Sequence, residues 1–427
     1  MRWPSASIGQ VCLPTEQRDP TALPERPFRY IDISAIGKDA KRITTAPEVL
    51  GAEAPSRARK AVRAGDVLVS TVRPNLNAVA VVPDELDGEI ASTGFCVLRA
   101  NPKLAEGKFI FYRCLTPEFV NSLVAQMRGA NYPAVSDGVV KRADIPLPAM
   151  REQRWIVGLL ERADALRRQR TEADTLADRI LPALFHTMFG DPARNPKGWP
   201  SKPAGRALRM ISGGTPSKEN VAFWNGDIPW VSPKDMKRVI ISDTEDHITA
   251  DAVKKSATSL LPGGTAMMVV RSGILAHSVP VALAARPMAI NQDLKGMVPN
   301  PEETGELEPY YILAWLLTAK QTLLGCVKRG ATVHSIDSGR FQALPFMLPP
   351  LPLQKALARR FKDLLALQVK QTESAGMIES LFATMLHRAF SGELTAKWRG
   401  THLKELLAEM EQQARLLKLP AGQKASG

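Results

Sequence analysis

Histidine and cysteine are the residues of this chain best suited to acid–base, nucleophilic or metal chemistry, and both are scattered. The six histidines occupy positions 186, 247, 277, 334, 387 and 402, and the four cysteines occupy positions 12, 96, 114 and 326. The sequence contains no CxxC pair and no histidine at metal-ligand spacing from a cysteine. This spacing argues against a structural zinc site and predicts a chain without a metal. Sparse cysteines also suit a reducing cytoplasm.

The motifs of nucleotide and methyl-group chemistry are absent from the sequence as well. It has neither a glycine-rich dinucleotide pattern nor a P-loop, and neither an Asn/Asp-Pro-Pro-aromatic motif nor a cluster of nuclease metal ligands. Gly213-Gly214 has the glycines of a phosphate cradle, but no Gly-Lys-Ser/Thr follows, so a turn is the better interpretation. We therefore expect no active site and no bound cofactor in this chain, whose task is binding.

Length and charge indicate a multidomain protein with a polyanionic partner. The 427 residues exceed one ordinary hydrophobic core and fit two or three domains. The formal net charge is +13, from 56 basic and 43 acidic side chains, which favours polyanionic partners. The longest strongly apolar run, residues 310–319, is shorter than the roughly 20 residues of a membrane-spanning helix. The N-terminus lacks an apolar signal-peptide region, and the sequence predicts a soluble, cytoplasmic protein.

Two long runs of residues show the heptad spacing of a helix that packs along another helix. In residues 151–188 and again in residues 357–389, apolar positions recur at alternating steps of three and four. Arg170, Gln368 and Gln371 interrupt the two seams. Because both partners lie in one chain, intramolecular pairing is favoured over homodimerisation. The positions predicted to pair are Ile156, Leu159, Ala163, Leu166, Ala173, Ile180, Leu184, Phe361, Leu364, Ala375, Ile378, Phe382 and Met385.

The two helical runs divide the chain into parts, and each of the two domain-sized parts mixes strand-like with helical segments. Strands are predicted near residues 28–33, 67–72, 78–82, 228–231, 265–270 and 279–284, and helices near 107–127 and 309–324. Pro117 leaves open whether the first of these helices is one or two. The predicted fold class is α+β. The predicted parts are a mixed domain at 1–150, a spacer helix at 151–190, a mixed domain at 191–350, a distal spacer helix at 351–399 and a helical, basic tail at 400–427.

The two halves of the chain are related by an internal repeat. At an offset of 201 residues, Arg128-Gly129-Ala130 matches Arg329-Gly330-Ala331, and Gln153 matches Gln354. The matches cluster around the entry into each long helix and along its seam, whereas the mixed domains match poorly. Each half is thus a mixed domain followed by a long helix.

Six stretches of sequence, taken together, carry a resemblance to a known family. They are Pro55-Ser56-Arg57-Ala58-Arg59, Gly65-Asp66-Val67-Leu68-Val69-Ser70-Thr71-Val72-Arg73-Pro74, Gly213-Gly214-Thr215-Pro216-Ser217, Trp224-Asn225-Gly226-Asp227-Ile228-Pro229-Trp230-Val231, Asn291-Gln292-Asp293 and His387-Arg388-Ala389-Phe390-Ser391-Gly392-Glu393-Leu394-Thr395. The combination resembles the specificity subunits of type I restriction-modification systems, and it covers the chain up to about residue 399.

The resemblance implies two target-recognition domains that each read one half of a split DNA sequence. It also implies two long antiparallel, coiled-coil-like helices that set the gap between the half-sites and dock modification subunits. Those subunits would bind S-adenosylmethionine and methylate adenine, and restriction subunits would use ATP and magnesium to translocate and cut DNA. The sequence departs from the family pattern at Gly263-Gly264-Thr265-Ala266, where a Gly-Asp strand opening is usual, and in the tail that follows Arg399.

A DNA-reading chain needs cations for phosphates and hydrogen-bonding side chains for base edges. We selected polar side chains in loops beside predicted strand or helix ends. In the first domain these are Arg73, Asn75, Asn77, Asn131, Tyr132 and Lys141, and in the second Lys218, Lys234, Arg271, Asn291, Gln292 and His334. An asparagine in a loop is more often a turn former, and an exposed lysine is usually only solvated. For Asn291-Gln292-Asp293 a bracing role is favoured over a DNA contact.

Two alternatives to a type I specificity subunit remain open at the level of sequence. One is a specificity subunit that serves a fused restriction-methylase enzyme. The other is a scaffold whose two domains bind proteins along a helical rod, without contact to DNA. An enzyme that acts alone is the least favoured interpretation.

Overall fold

The computed structural model describes residues 3–37, 40–129 and 132–417, which form two compact units. The first unit comprises Met1–Thr171 and Ser374–Gly427, and the second comprises Glu172–Glu373. Both units mix strands and helices, which confirms the α+β class. Among the described residues, no helix is both long enough and apolar enough to cross a membrane.

The strands of the first unit are short, and several of them, such as Val67–Ser70 and Val79–Val81, are rich in β-branched residues and follow a turn. They are β1 (Ser5–Ser7), β2 (Cys12–Leu13), β3 (Pro27–Ile31), β4 (Ile36–Gly37), β5 (Arg42–Ile43), β6 (Glu48–Leu50), β7 (Ala58–Ala61), β8 (Val67–Ser70), β9 (Val79–Val81), β10 (Ile90–Ser92), β11 (Phe95–Ala100) and β12 (Asp144–Pro146).

The strands of the second unit are short as well. They are β13 (Ser201–Pro203), β14 (Leu208–Ser212), β15 (Trp224–Val231), β16 (Ile240–Ile241), β17 (His247–Ile248), β18 (Ser259–Leu261), β19 (Ala266–Val269), β20 (Arg271–Ser272), β21 (Val281–Ala284), β22 (Met288–Ile290), β23 (Leu294–Pro299), β24 (Val327–Lys328), β25 (His334–Ile336) and β26 (Pro345–Met347).

Two of the helices are about 40 residues long and the rest are short. The helices are α1 (Gly107–Leu115), α2 (Pro117–Val124), α3 (Asp137–Arg142), α4 (Met150–Phe189), α5 (Ala204–Ala207), α6 (Ala250–Lys255), α7 (Pro301–Thr304), α8 (Pro309–Thr318), α9 (Lys320–Gly325), α10 (Ser338–Ala343), α11 (Leu351–Ser391), α12 (Ala396–Thr401) and α13 (Leu403–Leu416). Pro117 starts a second helix, because its ring is compatible with a first helical turn but not with a helix interior.

The internal repeat seen in the sequence extends to the order of the strands. In the first unit, β6-β3-β10-β7 and β2-β11-β8-β9 form two four-stranded sheets. In the second unit, β17-β15-β22-β18 and β14-β23-β19-β21-β16 have the corresponding orders. The corresponding pairs β3–β10 and β15–β22 are parallel, whereas most of the other pairs are antiparallel. The two mixed domains therefore share a topology that their sequences hardly reveal.

The turn that opens the third strand of the second repeated sheet is also shared. Gly65 precedes β8 with φ +82°, and Gly264 precedes β19 with φ +83°. This left-handed conformation favours glycine at both positions. In the first unit the Asp66 carboxylate accepts hydrogen bonds from Arg99, whereas Thr265 Oγ1 donates to the Pro262 carbonyl oxygen at 2.8 Å. The Gly-Gly-Thr-Ala stretch thus keeps the turn and changes only the side chain that braces it.

The two long helices share apolar cores within each unit. In the first unit, Ile156 and Ala163 of α4 lie in one core with Phe382 of α11. Glu152 contacts Arg399, just beyond α11, and Arg167 contacts Glu379, so the two segments run antiparallel here. In the second unit, Phe185 of α4 and Phe361 of α11 belong to one core.

The apolar stripe of α4 departs from the predicted heptad. Leu166 is 50% exposed and Ile180 is 45% exposed, whereas the Arg167 guanidinium lies 4.2 Å from the centroid of the Phe382 ring. A straight helix has 3.6 residues per turn, so a strict seven-residue repeat drifts around its surface. The remaining predicted pairing positions are buried or half-buried, namely Ile156, Leu159, Ala163, Ala173, Leu184, Phe361, Leu364, Ala375, Ile378, Phe382 and Met385.

The chain after α11 folds back onto the first unit. Leu406 and Met410 of α13 form a small apolar core with Ala149, next to the start of α4. Gln413 Nε2 donates to the Leu104 carbonyl oxygen at 3.1 Å. The described part of the predicted tail is therefore helical and packed, and residues 418–427 lie outside the described residues.

Candidate nucleic-acid interface

In the first unit, two loops meet beyond the end of β8. Val72 and Arg128 each form an isolated bridge with Ala134. The Arg73 amide donates to the Pro133 carbonyl oxygen at 2.8 Å. Backbone hydrogen bonds thus hold the segment after β8 against the Arg-Gly-Ala loop, which the repeat had singled out.

These two loops present the arginine and the tyrosine predicted from sequence. The Arg73 guanidinium lies over the Tyr132 ring at 5.1 Å from its centroid, and the tyrosine is 72% exposed. Arg73 and Asn77 have positive φ angles of 48° and 47°. Left-handed backbone at a residue other than glycine costs on the order of 1 kcal/mol and is common at functional sites. The structure brings Arg73 and Tyr132 together in a strained, outward-facing loop pair.

The other candidates of the first unit have different surroundings. Asn75 is exposed in the same loop as Arg73, and the carbonyl oxygen of Asn77 accepts a hydrogen bond from Lys41 Nζ at 2.6 Å. Lys141 is half-buried on α3, near the half-buried Cys12 and the buried Cys96. Asn131 lies outside the described residues.

In the second unit, the corresponding loops form a three-stranded ribbon in the order β20-β25-β24. Arg271 pairs with Ser335, and Ser272 pairs with His334. His334 Nδ1 accepts a hydrogen bond from the Gly330 amide at 3.2 Å, which closes the Arg329-Gly330-Ala331 loop. Arg271 is exposed at the edge of this ribbon, and the half-buried His334 ring is committed to the loop.

The Asn291-Gln292-Asp293 stretch lies directly against the ribbon. The Asp293 carbonyl oxygen accepts hydrogen bonds from the Val270 and Arg271 amides at 2.8 and 3.3 Å. Asn291 is 5% exposed and its Oδ1 accepts from the Asp293 amide at 3.0 Å. This geometry favours the bracing role for Asn291. Gln292, by contrast, is exposed beside Arg271.

Two lysine candidates lie on other loops of the second unit. Lys218 is exposed in the loop between β14 and β15. Lys234 Nζ lies 2.9 Å from the carboxylates of both Glu245 and Asp246, whose hydrogen bonds raise the pKa of the ammonium group. Because two carboxylates already offset its charge, Lys234 is a weaker partner for a phosphate than Lys218.

Sequence reasoning missed three exposed or half-exposed cations near these loops. Arg128 and Arg329 occupy corresponding positions in the repeat and are exposed in both units. Lys295 lies on β23 and lines the same depression as Arg271 and Gln292. The repeat was the available signal for the two arginines, whereas Lys295 sits in a strand and gave none.

The thiols of the first unit are poor nucleophiles, with Cys96 and Cys114 buried and Cys12 half-buried. Burial raises the pKa of the Cys12 and Cys96 thiols to about 12, partly opposed by the nearby Lys141. A thiol with such a pKa is protonated at neutral pH and is a poor nucleophile. No group of three or more His, Cys, Asp or Glu side chains suited to a metal ion occurs among the described residues.

Comparisons with known proteins show which family has this architecture. Residues 196–375 match the family described as type I restriction modification DNA specificity domain. The chain is 37% identical to the EcoR124I/EcoR124II specificity subunit of Escherichia coli, over 58% of this chain and 61% of that relative, which is less than two thirds of its length. It is 19% identical to the HindI specificity subunit of Haemophilus influenzae, over 80% of this chain and 89% of that relative.

A solved structure also matches over nearly its whole length. It comes from work on complex assembly and conformational transition of the type I R-M system and is 32% identical. The match covers 92% of this chain and 98% of that chain, with a TM-score of 0.59. Each unit mixes strands and helices and includes part of both long helices. This repeated arrangement is thus that of a DNA-specificity protein. The chain belongs to the family of type I restriction-modification specificity subunits, whose members are non-catalytic.

Proposed function

We propose that this chain reads a bipartite DNA target, with each unit contacting one half-site. The observation that supports this proposal most strongly is the repeated loop pair. In each unit, the segment after the third strand of one sheet is bonded to the residues that follow an Arg-Gly-Ala loop. Each segment presents an exposed arginine, at neighbouring rather than identical positions, since Arg271 corresponds to Val72 and Arg73 to Ser272. One loop pair, repeated with different exposed side chains, suits a target made of two short and different halves.

The side chains around these loops cover both kinds of contact that a duplex requires. Arg128 and Arg329 are exposed cations suited to phosphate oxygens, and Arg73, Asn75, Arg271 and Gln292 can bond base edges in the major groove. The net charge of +13 adds a long-range attraction to DNA. Positioning and sequence reading would therefore come from the same loops.

The long helices are proposed to fix the gap between the half-sites and to dock modification subunits. Large apolar side chains are exposed along both helices, including Leu176 (62%), Met377 (67%) and Val369 (60%). We assign these side chains to a protein–protein contact, since exposed apolar surface rimmed by polar residues marks such contacts. The exposed Arg168 would lie at this docking face rather than on DNA, whereas Arg167 packs against Phe382 and pairs with Glu379 between the two helices.

The cofactors of the assembled system would belong to its other subunits. Modification subunits would bind S-adenosylmethionine and methylate adenine, and restriction subunits would use ATP and Mg²⁺. The assembled complex would thus be an adenine-specific methyltransferase and an ATP-dependent endonuclease in the cytoplasm. This chain would contribute the choice of sequence and no catalytic group.

The test is reconstitution of the chain with its cognate modification subunits in a host that lacks other adenine methylation. Sequencing of methylated adenines should reveal one split sequence, with two short defined halves and a constant undefined gap. The purified chain alone should show no methyltransferase activity. Methylation without a defined split sequence, or a complex that ignores DNA at every salt concentration, would contradict the proposal and favour a protein scaffold.

A further inference from the structure

The second unit contains a groove that no sequence motif announced. Its apolar floor includes Met210, Met268 and Phe341, and Arg271, Gln292 and Lys295 line it. An adjoining depression shares Arg271 and Gln292 and is bounded by Pro233, Asp293 and Val333. Arg271 and Gln292 therefore stand between two adjoining recesses, beside the ribbon of β20, β25 and β24.

The polar groups at the shared edge are arranged as hydrogen-bond donors. Gln292 Oε1 accepts a hydrogen bond from Thr215 Oγ1 at 2.5 Å, which leaves the Nε2 amide group as the available end. The Arg271 guanidinium has only donors, it is exposed, and within the described part of the chain no ion pair or side-chain hydrogen bond occupies it. The Lys295 ammonium, bonded to Ser212 Oγ, adds further donors. A ligand for this edge must be rich in acceptors.

The same place in the first unit is closed by the chain itself. Cys96 pairs with Val69 of β8, and Lys295 pairs with Met268 of β19, so the two residues occupy corresponding positions. The offset of 201 residues likewise relates Asp137 to Ser338. In the first unit, Lys60 Nζ bonds to the Asp137 carboxylate at 2.5 Å and to the Phe95 carbonyl oxygen, and the lysine side chain is 13% exposed. In the first unit a lysine–aspartate ion pair therefore occupies the position that Lys295 and Ser338 line in the second.

Two sources could supply an acceptor-rich ligand, namely a guanine edge or a backbone phosphate. The guanine edge in the major groove offers two acceptors, O6 and N7, which match a bidentate arginine. The Asp293 carboxylate lines the recess next to Arg271, and it would repel a phosphate there. The carboxylate repels the partial charges of a neutral base edge much less than the full charge of a phosphate, so the geometry favours a base.

We infer that Arg271 binds the O6 and N7 atoms of a guanine in the half-site read by the second unit. Gln292 Nε2 then donates to an acceptor of the same or the neighbouring base pair. The inference rests on the proposed function and assigns a specificity-determining role to these two side chains. Lys41 and Arg73 belong to the first unit and take no part in this contact with the guanine.

The experiment compares methylated sequences produced by the wild-type complex with those of four variants, each assembled with the cognate modification subunits. Arg271→Ala should reduce the discrimination for guanine at one position by roughly 5- to 150-fold, the range for a lost bidentate contact. Arg271→Lys should retain part of it, because an ammonium group donates without the bidentate fork. Gln292→Glu should reduce the base discrimination at the same or the neighbouring base pair more than Gln292→Ala does. The reason is that a carboxylate oxygen, which is an acceptor, replaces the amide donor.

The first half-site serves as the internal control, since it should stay unchanged in all four variants. A wild-type second half-site without guanine, or a variant set that leaves both halves intact, would overturn the inference. An equal loss of affinity for all sequences with a shallower salt dependence would identify a phosphate contact instead, and would also overturn it. In each of these results the wild type still specifies a split sequence, which separates them from failure of the proposed function.

Discussion

A single buried carboxylate fastens the two ends of the first unit. Glu152 is fully buried and accepts hydrogen bonds from Arg399 Nε at 2.7 Å, Thr395 Oγ1 at 2.6 Å and Trp3 Nε1 at 3.0 Å. The Arg399 guanidinium also lies 4.6 Å from the centroid of the Trp3 ring. The charged pair is thus satisfied on all sides, which is the condition under which a buried ion pair is tolerated.

Replacement of Glu152 by alanine should strongly destabilise the first unit. The change leaves the Arg399 guanidinium buried without its counter-charge, and removal of one partner of a buried pair costs about 3–5 kcal/mol. Hydrogen exchange of β1 and β12 amides in increasing urea measures the loss. As a control in the same unit, Glu16→Ala removes an exposed ion pair with Arg63 and should cost less than about 1 kcal/mol. Equal effects of the two variants would contradict this account.

Two glutamines in corresponding positions fix the start of each long helix. Gln153 Oε1 accepts from the Glu106 amide, and Gln354 Oε1 accepts from the Glu308 amide, at 2.9 and 3.0 Å. Their Nε2 atoms donate to the carbonyl oxygens of Pro148 and Pro349 at 2.9 and 2.7 Å. The repeat predicted that these positions match, but only the structure shows that both are buried anchors.

The two glutamine anchors should differ in their contribution to stability. Gln354→Ala should destabilise the second unit by roughly 1–3 kcal/mol, because it leaves buried backbone groups unpaired. Gln153→Ala should cost less in the first unit, because Gln413 Nε2 also donates to the Pro148 and Leu104 carbonyl oxygens, at 3.4 and 3.1 Å. Urea denaturation followed by hydrogen exchange in each unit gives both values. A larger cost for Gln153→Ala would show that Gln413 gives no support.

At the scale of elements, the long helices were predictable and their packed faces only in part. Apolar spacing predicted helices at 151–190 and 351–399, where the structure has Met150–Phe189 and Leu351–Ser391. The heptad could not show that Arg167 would take the place of Leu166 against Phe382, because that depends on the partner's side chains. Several strands of each unit were predicted where β-branched residues follow a turn, and the structure has strands there. The parallel pairing of β3 with β10 joins segments about 60 residues apart and left no local signal.

Insertion of four residues into both long helices should lengthen the gap without changing either half-site. The insertions would follow Thr171 in α4 and Glu373 in α11, where the two units divide, so that both units keep their own contacts. One added helical turn is about 6 Å, or roughly two base pairs at about 3.4 Å each. The prediction rests on the proposed function, and sequencing of methylated sites measures it. A changed half-site with an unchanged gap would argue against a spacer role, and an insertion in one helix alone is the control.

At the scale of the whole molecule, the repeat carried more information than any motif. It indicated two domains of one kind, and the strand orders of the two units bear this out. Candidate DNA contacts were harder to select, because the sequence cannot tell a loop asparagine that braces from one that is exposed. Asn291 and Gln292 are adjacent, yet one is buried and the other is free to contact a ligand. Lys295 escaped notice since its strand pattern looks like core.

The excess of positive charge should make DNA binding by the assembled complex strongly salt-dependent. The logarithm of the affinity should fall linearly with the logarithm of salt concentration, with a slope that counts the neutralised phosphates. Arg128→Ala and Arg329→Ala should each make that slope shallower by about one, while both half-sites keep their sequence. Fluorescence anisotropy with labelled DNA at a series of salt concentrations measures it. Lys234→Ala, which removes a cation already paired with two carboxylates, should change the slope least.

The duplicated glutamine anchors have a consequence for the variety of targets. Because Gln153 and Gln354 each fasten a helix to the backbone of their own unit, the loops of one unit can change while the other unit keeps its frame. A collection of first units and a collection of second units could then be joined in every combination on the same pair of helices. The number of distinct targets would grow as the product of the two collections and not as their sum.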